Sequence, residues 1–537
     1  MSQQSQVCNG KPCSSGACRY VRKRCGGSGG LFNYISLPYC GTGFAPWLGL
    51  LLLIAWAGAL CTWLAMAASS FLAPNLTTLT SELSMTEGVA GTTLLALGNG
   101  APGVASMVAA SVASTRATEM AIGTALGSSM FVICVVMGMI ALQSPISLPT
   151  DEVQRDVAFF LAAVLLLMTV LFDSKISLIE SVSFVALYLL YLFVVIQGYF
   201  VHRARGRGVA PDATITGKLL EVSSGAGGQI KTGVSHTMTL SGLATQLNPL
   251  PPEAVNFGSA WSRALAGVRA PGLLLMRATC PVPGEVREGE GWGKESALVQ
   301  ALLAPSVFVW AVLLHGLPSV GRANTYLAFA AALVVGAMLA GILHISSRPS
   351  APPNNWRYAS AAGFVVAVAW VYCIAVELVH VLQAVGRVVG VSDSFMGLTV
   401  LASANSIADL SANLAVAHAG LVGMAASACI GGPLLHLLFG VGLSTLLGNL
   451  LVASPFPMEL NLEIYTSGAF LAAALLAILA FVRLSKDLPG RAFGTMLILV
   501  YFVFICILGG LEIFGGANLL TGNLRRAATQ MARVRAA

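Results

Sequence analysis

The sequence predicts an all-α protein that threads a lipid bilayer many times. Three observations carry the prediction. Charged residues are scarce, with 29 Lys+Arg and 22 Asp+Glu in 537 residues, or 9%, where a soluble globular chain has roughly 25%. Hydrophobic residues make up 56% and the mean hydropathy is +0.81. Apolar stretches of the roughly 20 residues that a helix needs to cross the hydrocarbon core recur about twelve times. Runs of that length satisfy their backbone in lipid as helices, not strands. A soluble multidomain enzyme, a disordered chain and a coiled coil are excluded. The net charge of +7 is spread over loops and tails. No basic stripe interleaves with exposed aromatics, so no nucleic-acid partner is expected.

In chain order, residues 1–45 form a polar tail holding Cys8, Cys13, Cys18, Cys25 and Cys40. Cysteines gathered ahead of the first apolar run fit a small disulfide-bonded cap in an oxidising lumen or outside the cell. A reduced, zinc-binding or loose cytosolic tail is the alternative, although the spacings match no standard zinc pattern. Residues 1–30 lack the apolar core of a signal peptide. The first membrane half, 46–200, carries spans near 46–66, 86–112, 120–142, 157–173 and 177–200. The interval 201–297 is rich in Gly, Pro, Ser and Thr. It reads as a poorly structured cytosolic loop with a short amphipathic piece near 265–277. Arg203, Arg205 and Arg207 leave the fifth span directly, which assigns the loop to the cytosol.

An extra hairpin occupies 298–345, with spans near 298–316 and 325–345. The second half, 346–515, has spans near 358–384, 394–418, 421–449, 463–483 and 492–514, and a basic tail fills 516–537. An even number of crossings places both termini opposite the loop, in a lumen or outside the cell. The expected location is an endomembrane, vacuole or ER, or the plasma membrane. The sequon Asn75-Leu76-Thr77 then faces the cytosol and stays unmodified.

Two segments repeat. Gly91–Ala110 (GTTLLALGNGAPGVASMVAA) and Gly397–Val416 (GLTVLASANSIADLSANLAV) align at a shift of 306, pairing Gly91 with Gly397, Thr93 with Thr399 and Asn99 with Asn405. They fall in the second and ninth spans. An odd separation makes them enter from opposite faces, the inverted-repeat plan of secondary transporters, whose substrate site lies at the midplane. The fold expected is therefore two inverted repeats of about five helices around the extra hairpin.

Gly98-Asn99-Gly100-Ala101-Pro102-Gly103 is expected to break its helix, because Pro102 lacks a donor and the glycines loosen the backbone. Freed carbonyls are hard oxygen ligands for a cation. In the second copy Asn405, Ser406, Asp409 and Asn413 share one helical face. A carboxylate at the bilayer centre costs at least about 2.5–3.5 kcal/mol on insertion scales, so Asp409 needs a compensating role, which a bound cation supplies. The candidate cation ligands are Asn99, Pro102 (through nearby carbonyls), Gly103, Asn405, Ser406, Asp409 and His436. Ser128 and Ser129 are secondary candidates, and Glu377 with His380 reads either as a gate or as an ordinary interhelical pair. No nucleotide-binding loop is present, so neither an ATP-driven pump nor an enzyme is expected, and no cofactor beyond the transported ions.

At these residues the chain resembles the calcium/cation antiporter superfamily. It is most similar to the plant and algal cation/calcium exchanger branch and to the sodium/calcium–lithium exchangers. That family's repeats read Gly-Asn-Gly-Ala-Pro-Asp and Gly-Asn-Ser-(Ile/Leu)-Gly-Asp. Here they stand as Gly98–Gly103 and Ala404-Asn405-Ser406-Ile407-Ala408-Asp409. The likeness continues through Cys18-Arg19-Tyr20-Val21, Phe32-Asn33-Tyr34, Val368-Ala369-Trp370, Glu377-Leu378 and Gly432-Pro433. It implies a sodium/calcium exchanger-like fold and antiport of Ca²⁺ or monovalent cations against Na⁺, K⁺ or H⁺. Two departures bear on function. Gly103 stands where the family has aspartate, and His436 where it has asparagine. One carboxylate fewer should weaken Ca²⁺ more than Na⁺ or K⁺, and Gly103→Asp should then restore Ca²⁺ transport. A transport-deficient homologue serving as a membrane regulator or scaffold is the alternative.

Overall fold

The structure, a computed structural model, describes residues 32–38, 46–83, 85–113, 115–143, 150–173, 175–204, 260–282, 293–311, 322–348, 353, 359–389, 399, 402–451, 455–457, 462–485 and 490–511. The five N-terminal cysteines, residues 205–259 of the long loop and the basic tail lie outside the described residues, with the expectations attached to them.

The first half comprises α1 (46–82), α2 (87–113), α3 (115–143), α4 (Thr150–Val170) and α5 (Leu178–Ala204). Between the halves lie α6 (Ala260–Thr279), α7 (Lys294–Ala311) and α8 (Arg322–Ser346). The second half comprises α9 (Ala359–Val389), α10 (Ala402–His418), α11 (Val422–Leu451), α12 (Leu462–Ser485) and α13 (Gly490–Leu511). Two short strands, β1 (Lys175–Ile176) and β2 (Phe456–Pro457), pair antiparallel at one edge.

Among the described residues nine helices are long and apolar enough to cross a membrane, against the twelve spans expected. The three that fall short are α2, α7 and α10. Helix α7 opens on Lys294 and Glu295, which lower its hydropathy, and α10 has 17 residues. Helices α2 and α10 carry the repeat motifs. The motif helices are enclosed by protein on most sides and have little need of apolar surface.

Packing between the halves follows a pseudo-twofold exchange of partners. Helix α1 lies along α9, and α4 along α12. The halves interlock further in: α2 packs on α11 while α10 packs on α3, and α11 packs on α5. A Cβ added at Gly442 of α11 would sit 2.9 Å from Phe184 Cβ of α5, and one at Gly138 of α3 would sit 3.0 Å from Ile498 of α13. Each half thus supplies a glycine at the matching place to let a helix of the other approach. Single π-helical stretches also match, Val132–Val136 in α3 and Leu435–Gly440 in α11.

Burial grades outward from this arrangement. The apolar windows of α3 and α11 are 78% and 67% buried, whereas that of α8 is 11% buried and turns its side chains to lipid. The hairpin α7–α8 is therefore peripheral. Lys294 ties its two ends together, its Nζ donating to the carbonyls of His344 and Ser347 at 2.9 Å each.

The interval expected to be a loose loop holds one packed element. Helix α6 is longer than the piece expected near 265–277 and contacts α1, α7 and α9. Trp63 of α1 donates to the Val268 carbonyl at 2.7 Å, and Trp370 of α9 donates to Thr279 Oγ1 at 2.8 Å. Asn75 is fully buried here, its Nδ2 donating to the carbonyls of Phe71 and Pro281 at 2.9 Å each. Burial within a helix keeps that sequon from a glycosyltransferase whichever side it faces.

Candidate cation site

Helix α2 is held by its contacts with α11. An added Cβ at Gly91 would overlap the Met424 carbonyl, one at Gly431 would lie 2.8 Å from Thr92 Cα, and one at Gly440 would lie 2.8 Å from Met107 Sδ. The numbers rise together along both helices, so α2 and α11 run parallel. Helices α10 and α11 are joined by a tight turn, in which Gly420 takes φ 88°, a conformation costly for any residue with a side chain. Helix α10 therefore runs against α2, and the two motif helices enter from opposite faces as the inverted repeat requires.

The expected break at Gly98–Gly103 does not occur. The helix continues over Ala96–Ala113, and the irregular backbone lies one turn earlier, in the π-helical Gly91–Leu95. A π-turn ahead of the proline absorbs the mismatch that Pro102 would otherwise force as a kink. Pro102 still contributes no N–H to the carbonyl one turn back.

Asn99 and Asn413 meet where α2 crosses α10, Asn99 Nδ2 donating to Asn413 Oδ1 at 3.3 Å. Asn413 in turn donates to Cys429 Sγ at 3.5 Å. Asn99 Oδ1 is buried with no hydrogen-bond partner among the described residues. A buried acceptor left unmade costs about 1–3 kcal/mol, so this oxygen is open to a bound group. One turn before Asn413, on the same face, Asp409 is 7% exposed. Among the described residues no hydrogen bond or ion pair reaches its carboxylate. A carboxylate withdrawn from water without a partner is strongly unfavourable until a cation or a proton joins it.

Ser406 is fully buried and donates to the Ser128 carbonyl of α3 at 3.3 Å. Ser128 thus takes part through its backbone. Its hydroxyl and that of Ser129 donate to Ala125 within their own helix, at 3.0 and 2.7 Å. The mirror-related contact lies between α2 and α11, where His436 Nε2–H donates to the Gly100 carbonyl at 3.0 Å. The same ring covers Gly103. A Cβ added there would overlap Nε2 and lie 3.0 and 3.1 Å from Cε1 and Cδ2.

The structure thus brings Asn99 to the crossing of the motif helices one turn from Asp409, sets Ser406 on the same helix against α3, and places Gly103 and His436 against each other. Of the remaining candidates, the side chains of Pro102 and Asn405 lie outside the described residues. Asn413 joins the site directly. Its position on the Asp409 face was the signal available in the sequence.

Glu377 is held from an unforeseen direction. Tyr34, ahead of the first span, donates its hydroxyl to Glu377 Oε2 at 2.7 Å, and Trp56 donates to the Tyr34 oxygen at 3.4 Å. Glu377 is thus latched to the N-terminal segment. Burial, and then the bond to Glu377, push the Tyr34 phenol above its ordinary value of 10.0, so it remains a donor.

The sodium/calcium exchanger protein family matches residues 46–197 and 359–510, one match in each half. The chain is 30% identical over 527 residues to the mitochondrial sodium/calcium exchanger protein of Gallus gallus, covering 92% of this chain and 88% of that one. It is 28% identical to cation/calcium exchanger 1 of Arabidopsis thaliana, covering 91% and 86%. A solved structure of the sodium-calcium exchanger NCX_Mj aligns with 85% of this chain and 98% of its own at 16% identity and a TM-score of 0.42.

Proposed function

Because the chain belongs to the sodium/calcium exchanger protein family, we propose that it is a secondary antiporter that exposes one buried cation site alternately to the two sides of a membrane. The cargo is Ca²⁺ or a monovalent cation, driven by a counter-gradient of Na⁺, K⁺ or H⁺. The observation that carries this reading is the buried Asp409 carboxylate together with the buried Asn99 Oδ1, neither with a hydrogen-bond partner among the described residues, on two oppositely directed helices that meet through Asn99 and Asn413. Asp409 supplies the charge that compensates the cation, and Asn99 supplies a neutral oxygen. Ser406 faces the same crossing, and Asn405 and the carbonyls around Pro102 complete the set that the motifs suggest. Alternating exposure fits the inverted repeat, since oppositely directed copies can build the same gate toward either face of the membrane. The protein spans an endomembrane or the plasma membrane, with the 201–297 side cytosolic and both termini opposite.

The test is uptake of labelled Ca²⁺, Na⁺ and Rb⁺ into proteoliposomes under imposed Na⁺, K⁺ or H⁺ gradients. Wild type should show saturable, gradient-driven uptake of at least one cation, and Asp409→Asn should fall to background while remaining monodisperse. A correctly inserted wild type inert toward every cation would overturn the antiporter reading in favour of a membrane scaffold or regulator.

A further inference from the structure

The two departures from the repeat motifs are not independent. Gly103 and His436 are 333 positions apart in the sequence, yet the imidazole lies on the glycine so closely that a Cβ would overlap Nε2. A carbonyl oxygen only accepts, so the 3.0 Å contact between Nε2 and the Gly100 carbonyl fixes the proton on Nε2. The nitrogen facing α2 is thereby unavailable as a lone-pair ligand. The ring sits in a π-helical stretch, Leu435–Gly440, and Leu435 Cδ2 crowds Gly100 beside it, 2.6 Å from where a Cβ there would stand.

Charge on the surrounding helices is sparse. Helices α2, α3, α10 and α11 carry three carboxylates in all: Glu87 and Glu119 near helix starts, and Asp409 alone in mid-helix. Glu87 is committed elsewhere, its Oε2 accepting the Met424 N–H at 3.3 Å. A single carboxylate neutralises a single positive charge, and a divalent ion beside it would retain net charge in a water-poor core.

We propose that His436 is a specificity-determining residue of the exchanger site: its imidazole fills the space a side chain at position 103 would need and ties up the Gly100 carbonyl, so the site takes monovalent cations in preference to Ca²⁺. This rests on the antiporter reading above and deepens it. The ring selects by occupying volume and an oxygen, without itself binding the ion. It follows that a side chain at position 103 must displace the imidazole, so Gly103→Asp alone does not restore Ca²⁺ transport, contrary to the expectation from the sequence.

The experiment is a double-mutant cycle on the purified full-length protein in proteoliposomes. Gly103→Asp, His436→Asn and the double variant are read by melting temperature and by the ratio of labelled Ca²⁺ to labelled Na⁺ or Rb⁺ uptake. Gly103→Asp alone should lower the melting temperature and abolish transport, because the added side chain meets the ring. The double variant should recover both and raise the Ca²⁺ ratio by about tenfold or more, since Ca²⁺ affinity follows the charge count of its oxygen ligands. Non-additivity of the two changes is the expected signature of contact. Three results would overturn the proposal: a stable Gly103→Asp variant that already transports Ca²⁺, a wild type that prefers Ca²⁺, or a stable double variant with an unchanged ion ratio. Failure of the antiporter reading is distinct, since wild type would then move no cation while the melting-temperature cycle still reported the contact.

Discussion

The latch between Tyr34 and Glu377 makes a quantitative prediction. Tyr34→Phe removes one hydroxyl and leaves the ring, which is 4% exposed, in place. The lost bond is 2.7 Å long, ends on a carboxyl group that is itself 3% exposed, and also supplies the acceptor for Trp56. A hydrogen bond to a charged group contributes about 1.5–3 kcal/mol. At 1.4 kcal/mol per tenfold change, the docked state of residues 32–38 should weaken by roughly 10- to 150-fold. Amide hydrogen exchange reads this directly, because opening of a local segment sets its exchange rate. The reporters are the amides of Ser36 and Leu37, which donate to the carbonyls of Asn33 and Tyr34 at 3.0 and 3.3 Å. Their peptide should exchange faster by that factor, with the amides of α9 beyond Glu377 much less affected. The Tyr34 phenol is raised, and a group with a raised value stabilises fully below its unfolded value and loses the effect only as pH climbs through the folded one. The protection should therefore be flat from about pH 6 to 9. Unchanged exchange in Tyr34→Phe would refute the latch, and so would protection that declines across that pH range.

Two further substitutions probe the scaffold. Gly431→Val places branched carbon against the Thr92 backbone, where a Cβ alone would sit 2.8 Å from Cα. Backbone cannot yield as a side-chain tip does, so the cost should be at least about 1–3 kcal/mol, seen as a lower melting temperature and loss of transport. Asn75→Ala removes two donated bonds that bind α1 to itself and to Pro281. It should cost about 1–3 kcal/mol and raise protease cleavage at α6, with wild-type gel mobility insensitive to endoglycosidase.

Much of this architecture was legible from composition because the bilayer imposes a simple rule. Helices facing lipid, such as α8, must be apolar throughout, and the hydropathy of Arg322–Ser346 declares this openly. Helices enclosed by protein are freer to carry polar residues, as α2 and α10 do with Asn99, Ser406 and Asp409. Asn99 and Asp409 stood out for the complementary reason that polar groups are conspicuous in an apolar sequence. The contact of Gly103 with His436 was not readable, since it exists only because α2 pairs with a helix of the other half, and nothing in either local sequence encodes that register. The helix-breaking reading of Gly98–Gly103 failed because local propensity ignored the π-turn at Gly91–Leu95, which redistributes the strain.

The first helices of the two halves are longer than a membrane is thick. Trp47–Glu82 has 36 residues and Ala359–Val389 has 31. At 1.5 Å per residue they extend about 54 and 46 Å, against a hydrocarbon slab of about 30 Å. The last stretch of α1, Ala73–Glu82, is polar and packs on α9, so the excess length is anchored in protein rather than in lipid. The grip between the first helices of the two halves therefore runs on past the reach of the hydrocarbon, and does not depend on how thick the host bilayer is.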